Sequence, residues 1–231
     1  YCSRTVMVLV LYGVPLSQPF RSVAWACLQK KVPFVTQIVV PGSAGKMGSR
    51  AAPYLEMCPA GTVPALQDGA FVLSESPAIL EYVATRNAWT DLFPTDASER
   101  ARLSAVMHWH HTHTRNLASV FAAKVRPDII EMLGEAALVV QRERGLQALG
   151  LVEGWLLASS PFVAGRSEPS IVDLLIYEEV GPLGSKFTNL LDLSAYPKVN
   201  AWCARMESLP EFETAHAALV ELGDISAGVD P

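Results

Sequence analysis

Thr5–Tyr12 is rich in Val and Leu and short, as a buried strand is. Pro19–Lys31 sets Phe20, Val23, Ala24, Cys27 and Leu28 at helical spacing, and Phe34–Val40 alternates as a second strand does. After a loop containing Gly42, Gly45 and Gly48, Ala51–Met57 carries a weaker helical pattern. Pro64–Gln67 and Phe71–Leu73 read as two short strands joined by the hairpin signal Asp68-Gly69. Glu75–Arg86 follows as a helix with Ala78, Ile79, Tyr82 and Val83 inside. The order is βαβ, then α, then ββα.

From Asn87 to Ala97 the periodicity lapses around Pro94 and Thr95. That places a linker at 88–98, between a domain at 4–87 and another at 99–225. Beyond it apolar residues recur with a period near 3.6, in about five helices. Breaks fall near Arg126-Pro127, Ser159–Pro169, Gly181–Gly184 and Leu209-Pro210, and no internal repeat appears. The expected fold class is therefore a small α/β domain followed by an all-α domain.

Composition narrows the picture. Of 231 residues 50% are hydrophobic and 18% charged, which excludes a disordered chain. The net charge of −5 is spread along the sequence without the basic stripe that nucleic acids require, so no nucleic-acid partner is expected. A mean hydropathy of +0.25 raises the question of a membrane span. The longest apolar stretch, Val6–Leu16, is broken by Gly13 and Pro15 and falls short of the roughly 20 residues a span needs. No membrane association is expected. Arg4 ahead of that stretch suggests a signal peptide, but no small-residue cleavage pattern follows, and Leu16-Ser17-Gln18-Pro19 reads as a turn into a helix. The sequence starts at Tyr1, so a removed organelle-targeting leader stays an open alternative. Cys2, Cys27, Cys58 and Cys203 have irregular spacing and no CxxC, which points to neither a disulfide framework nor zinc and fits a reducing compartment.

Several residues carry both a structural and a chemical reading. Ser17 before Pro19 has the form of a helix N-cap. Glu75 and Ser76, with Pro77 behind them, open another helix, where a Ser usually caps. Val63-Pro64 precedes a hairpin, where propensity favours a trans proline starting an edge strand. Ser170-Ile171-Val172-Asp173 has the spacing of a capping box. His108, His110, His111 and His113 divide between two sides of a helix, and no carboxylate lies four residues away, so no metal site is expected. His110 joins Leu103, Val106, Met107, Leu117 and Phe121 on the apolar side. Ser104, His108, His111 and Arg115 form a polar stripe that faces either a cleft or water.

Five stretches in order carry a likeness: Ser17-Gln18-Pro19-Phe20-Arg21, Thr62 through Gly69, Glu75 through Tyr82, Trp109-His110-His111-Thr112, and Pro169 through Asp173. Together they resemble the cytosolic glutathione transferases, in particular the theta class with its plant and algal members, from about Thr5 to about Leu222. The resemblance implies a thioredoxin-like N-terminal domain that binds glutathione, and an all-helical C-terminal domain that carries the electrophile site. It further implies a cytoplasmic homodimer active in detoxification, with glutathione as co-substrate and no tightly bound cofactor. Conjugation of the thiolate to hydrophobic electrophiles is the implied reaction, and reduction of organic hydroperoxides a second one. The alternative is a non-catalytic, transferase-like binding or assembly module.

Residue by residue, the resemblance makes Ser17 the catalytic hydroxyl that donates to the glutathione sulfur. Tyr12 is its rival, because other classes use a Tyr near the end of the first strand. No Cys stands near Ser17, which argues against disulfide-exchange chemistry. A cis Val63-Pro64 step would offer the Val63 backbone to the cysteinyl unit. Ser76 would hold the γ-glutamyl carboxylate, Glu75 the amino group, and Gln18, Ser49, Thr62, Val63 and Pro64 complete the glutathione site. Tyr12, Leu16, His111 and Arg115 are the candidates for the electrophile site. The sequence departs from the family pattern in three places: Thr62 stands for an often-found Lys, Ser49 for a His or Gln at the glycyl carboxylate, and Ser104 for an Asp. Lys46 and Arg50 flank Ser49 and offer compensation. Thr62 and Ser49 are the features that favour the non-catalytic alternative. The Ser170–Asp173 box falls on the buried helix of the second domain, where its role is folding.

Overall fold

The computed structural model describes residues 8–227. Arg4, Cys2 and the part of the first expected strand before residue 8 lie outside the described residues.

Strand β1 (Leu9–Gly13) runs down the centre of the sheet, with Leu9, Leu11 and Gly13 buried. Helix α1 (Gln18–Gln29) crosses back so that β2 (Phe34–Ile38) lies parallel to β1, Leu9 opposite Phe34 and Gly13 opposite Ile38. A parallel neighbour requires such a crossover. After helix α2 (Ala52–Met57), strands β3 (Ala65–Asp68) and β4 (Phe71–Ser74) form the expected hairpin, with Gly69 at φ +63° in its turn. β3 is antiparallel to β1, with Leu11 opposite Leu66, and the sheet order is β2-β1-β3-β4. Helix α3 (Ser76–Arg86) closes this thioredoxin-like unit.

α1 packs against α3 on one side and against the later helical region on the other. Phe20, Val23, Trp25 and Cys27 are therefore all buried, and an amphipathic stripe gives way to burial nearly all round. Burial also raises the Cys27 thiol to about 12, so it is a packing group rather than a nucleophile.

The segment between α3 and the next helix, α4 (Ala97–Thr112), is irregular, as its lost periodicity predicts, but it is anchored. Trp89, Leu92 and Phe93 are buried, and the Leu92 carbonyl accepts from the Ile171 N–H at 3.1 Å. The helical region continues with a 3₁₀ turn (Thr114–Leu117) and helices α5 (Ala118–Val125), α6 (Pro127–Leu133), α7 (Glu135–Leu151), α8 (Ile171–Val180), α9 (Pro197–Glu207) and α10 (Phe212–Leu222). The described residues thus hold more helices here than the five expected. The added breaks fall at His113, whose backbone leaves the helical region, and at Gly134, at φ +78°.

All of α8 is buried, and its start shows why a polar box belongs in a core. Asp173 Oδ2 accepts from the Ser170 N–H and Oγ, both at 2.8 Å. Its Oδ1 accepts from the Val163 N–H at 2.9 Å and from Trp202 Nε1 at 3.0 Å. One carboxylate therefore ties the preceding loop and α9 to the core helix.

Candidate active site

β1 delivers the chain to a turn at Val14–Leu16, where the Ser17 N–H donates to the Val14 carbonyl at 2.9 Å. Ser17 flanks α1 in extended geometry (φ −79°, ψ 121°), yet its side chain makes no capping bond, contrary to the cap reading. Its hydroxyl has no protein partner among the described residues. It lines a cavity of about 410 Å³ with Gln18, Thr62 and Val63 on one side and Arg115, Phe121, Val125 and Arg126 on the other. The first group comes from the sheet unit and the second from the helical region, so the cavity is a cleft between them.

A smaller cavity of about 120 Å³ adjoins it and holds Glu75, Ser76, His110 and His111. Thr62, Val63 and Arg115 line both. Glu75 precedes α3 with φ +70°, a left-handed conformation that costs a non-glycine residue about 1–3 kcal/mol. Ser76 is buried, and neither it nor Glu75 makes a side-chain cap bond. The Val63–Pro64 bond is cis, as the family likeness implies, and Val63 has no backbone hydrogen bond within the described chain. The arrangement offers a carboxylate, a hydroxyl and open backbone groups at one end, a free hydroxyl in the middle, and an apolar wall opposite.

Known proteins agree with this geometry. A family model for the N-terminal domain of glutathione S-transferases matches residues 11–89. Glutathione S-transferase T2 of Arabidopsis thaliana is 32% identical over 94% of this chain, which spans 38% of that longer protein. Glutathione S-transferase theta-1 of Bos taurus is 30% identical over 97% of this chain and 94% of its own length. The crystal structure of human glutathione transferase theta-2, in complex with glutathione and an unknown ligand, superposes with a TM-score of 0.79 at 26% identity, over 93% of this chain and 88% of that one. The chain belongs to the theta-class glutathione S-transferases.

Against that theta-class frame, some expected residues meet at the cleft and others do not. Ser17, Gln18, Leu16, Thr62, Val63, Glu75, Ser76, His111 and Arg115 line the two cavities. Tyr12 does not: its hydroxyl donates to Gln67 Oε1 at 2.6 Å, and its ring lies 6.2 Å from that of Tyr54. Ser49 is fully buried, and its Oγ accepts from the Gly42 N–H at 2.8 Å. Arg50 is turned to the Ala60 carbonyl, and Lys46 lines neither cavity. Pro64 is buried behind Val63.

His108 faces solvent while His111 faces the cleft, so the polar stripe divides. Among the described residues no three His, Cys, Asp or Glu side chains converge as a metal site would require. His110 is buried with Nδ1 at 2.7 Å from Thr114 Oγ1. Burial first, then the Arg115 charge, pulls its pKa down to about 3, so the ring is neutral at ordinary pH.

Charges that this theta-class sequence does not disclose support the floor of the cleft. Arg21 on α1 is buried; its Nε donates to Glu178 Oε2 at 2.7 Å and its Nη1 to the Pro15 carbonyl at 3.1 Å. The guanidinium thereby ties the turn that carries Ser17 to the core helix α8. His216 on α10 gives its Nδ1 hydrogen to the Phe212 carbonyl at 2.7 Å. Its Nε2 stands 2.9 Å from Glu178 Oε1, off hydrogen-bond alignment. Burial works against the Glu178 charge, but Arg21 and then His216 outweigh it and hold the carboxyl below its ordinary range. Next in sequence, Glu179 accepts from Arg115 Nη1 at 2.8 Å, and there burial prevails and raises the pKa.

Proposed function

We propose that this chain binds glutathione along the cleft and conjugates its thiolate to hydrophobic electrophiles. The observation that carries the reading is the Ser17 hydroxyl, which sits at the start of α1, lines the cavity and has no partner among the described residues. A thiol of pKa about 8.5 is only about 3% ionised at pH 7, and lowering it by about two units needs roughly 2.7 kcal/mol of preference for the thiolate. A charge-assisted hydrogen bond from Ser17 and the N-terminal end of α1 are of that order together. The thiol proton goes to solvent, the sulfur lone pair forms the new bond to the electrophilic centre, and the leaving group departs with its electron pair. No protein nucleophile is needed.

The γ-glutamyl zwitterion is assigned to Glu75 and Ser76 and the cysteinyl backbone to Val63. Glutathione in the human theta-2 structure supports the choice of co-substrate. The electrophile is assigned to the apolar wall that Leu16, Phe121, Ala122 and Val125 contribute, with His111 and Arg115 at its polar edge. Hydroperoxide reduction by the same thiolate is the second activity. A homodimer is part of the proposal, as is the division into a glutathione domain at 4–87 and an electrophile domain at 99–225. No helix among the described residues is long and apolar enough to cross a membrane, which is compatible with the proposed cytoplasmic site of action.

Retention on glutathione resin followed by turnover of an activated aryl halide tests the reading. Retention with turnover supports it; retention without turnover leaves the non-catalytic module, and the loss of both retention and turnover refutes glutathione binding altogether.

A further inference from the structure

Resting on the glutathione reading above, we propose that Tyr54 is a positioning residue for the thiol substrate: its hydroxyl, acting through the Thr62 carbonyl, aims the Val63 N–H at the cysteinyl carbonyl of glutathione. Tyr54 is the buried residue of the six-residue helix α2, and its hydroxyl donates to the Thr62 carbonyl oxygen at 2.6 Å. A local route brings the two together. The Cys58 N–H closes α2 on the Tyr54 carbonyl at 2.7 Å, and the Gly61 N–H donates to the Cys58 carbonyl at 2.9 Å. Gly61 stands at φ +62°, in the left-handed region, and a Cβ there would lie 3.0 Å from the Ser49 carbonyl oxygen. The chain thus doubles back over α2 and sets the Thr62 carbonyl on the Tyr54 hydroxyl.

The Thr62 carbonyl and the Val63 N–H are the two ends of one planar peptide group. The Thr62–Val63 bond is trans, so the oxygen and the N–H point in opposite directions. Holding the oxygen on Tyr54 therefore turns the N–H to the other side. Thr62 and Val63 line both cavities of the cleft, and the Val63 N–H has no backbone partner among the described residues. A fixed N–H without a protein acceptor is suited to a carbonyl of the ligand. Tyr54 is the strong donor on this peptide group; the Cys58 thiol, a weak donor, approaches the same oxygen only to 3.7 Å. The ring has a separate task, because Tyr54 packs with Val39, Cys58 and Ala65 in a small cluster apart from the main core. Burial there pushes the phenol pKa well above its ordinary 10, so the hydroxyl keeps the proton it donates.

The test is calorimetric titration of wild type and Tyr54→Phe with glutathione and with its (E)-alkene isostere, in which a carbon–carbon double bond replaces the cysteinyl–glycine amide. The isostere keeps the thiol and both charged ends but lacks the cysteinyl carbonyl. Wild type is expected to bind glutathione about fivefold more tightly than the isostere, the scale of one net hydrogen bond. Tyr54→Phe keeps the ring in its cluster, and urea unfolding verifies its fold. It should reduce the preference to below about twofold by weakening glutathione and leaving the isostere unchanged. Tyr12→Phe, whose ring lies beside Tyr54 but whose hydroxyl is bound to Gln67, should keep the wild-type preference. Wild-type protein labelled with 13C at tyrosine Cζ supplies an arm without substitution at 54: the Tyr54 resonance should shift with glutathione and stay in place with the isostere.

Tyr54→Phe protein that keeps the preference overturns the assignment. Equal weakening of both ligands does so as well, since it leaves Tyr54 as a support of the fold alone. Loss of the preference in Tyr12→Phe overturns it by tracing the effect to packing of the cluster, and a Tyr54 resonance that treats the two ligands alike overturns it without any variant. Wild-type protein that binds glutathione and isostere equally removes the Val63 contact, and this assignment with it, while glutathione binding stands. Wild-type protein that binds neither overturns the glutathione reading itself.

Discussion

Asp173→Ala removes the acceptor of four hydrogen bonds from a site with no solvent exposure. The Ser170 hydroxyl can rotate, but the N–H groups of Val163 and Ser170 and Nε1 of Trp202 are left buried without a partner. At about 1–3 kcal/mol for each stranded donor, partly relieved by relaxation, the expected cost is about 3–6 kcal/mol, several times that of an exposed helix cap. Urea unfolding followed by tryptophan fluorescence, at fixed protein concentration, reads this directly.

A pH term distinguishes the carboxylate from a merely space-filling group. Burial outweighs the donated hydrogen bonds and raises Asp173 from its usual 3.8 to about 6. The folded state therefore binds more protons than the unfolded one between about pH 4 and 6. The resulting stabilisation is fully present below about pH 4 and is lost as pH rises through about 6, a change of about 3 kcal/mol. Asp173→Asn cannot take that proton, so the gap between wild type and Asn variant should widen as pH falls from 7.5 to 5. A cost below about 1 kcal/mol for the Ala variant, or a gap that narrows on acidification, refutes the reasoning.

Two further perturbations separate support from chemistry. Glu178→Gln leaves the buried Arg21 charge without its carboxylate and should cost about 3 kcal/mol of stability. Because Arg21 also holds the Pro15 carbonyl, the pH–rate profile of the variant should move to higher pH as the Ser17 turn loosens; an unmoved profile with lowered stability makes the pair structural only. Tyr12→Phe removes a hydrogen bond to Gln67 and should cost about 1 kcal/mol in urea unfolding while leaving kcat/KM within about twofold, whereas abolished turnover would show that the wrong hydroxyl had been assigned.

What the sequence discloses is what chain neighbours determine. The Asp68-Gly69 hairpin, the Ser170–Asp173 box and the start of α1 depend on spacings of a few residues, and the structure holds them near their expected places. The cleft is only half legible for the same reason. Ser17, Glu75 and Ser76 lie at element boundaries with recognisable patterns, but the partners that hold them are far along the chain. Arg21 and Glu178 are 157 residues apart, and no periodicity links them. Arg126 marks only a helix break beside Pro127 in the sequence, and it is the fold that brings Pro41 and Gly42 beside it. Ser49 errs in the opposite sense: its position suggests a ligand, yet Gly42 takes its hydroxyl. Tyr12 is likewise taken up by Gln67, a cross-strand neighbour created only when β1 and β3 pair.

The central claim is that the Ser17 hydroxyl stabilises the thiolate of bound glutathione. Ultraviolet titration of the thiolate absorbance in the binary complex, for wild type and Ser17→Ala, measures that directly. The wild-type complex should titrate about two units below the free thiol, and the Ala variant should return most of the way toward about 8.5 while still binding glutathione, with kcat/KM lowered by about 2–3 kcal/mol. An unchanged thiol titration in Ser17→Ala, with glutathione bound and turnover intact, contradicts the account.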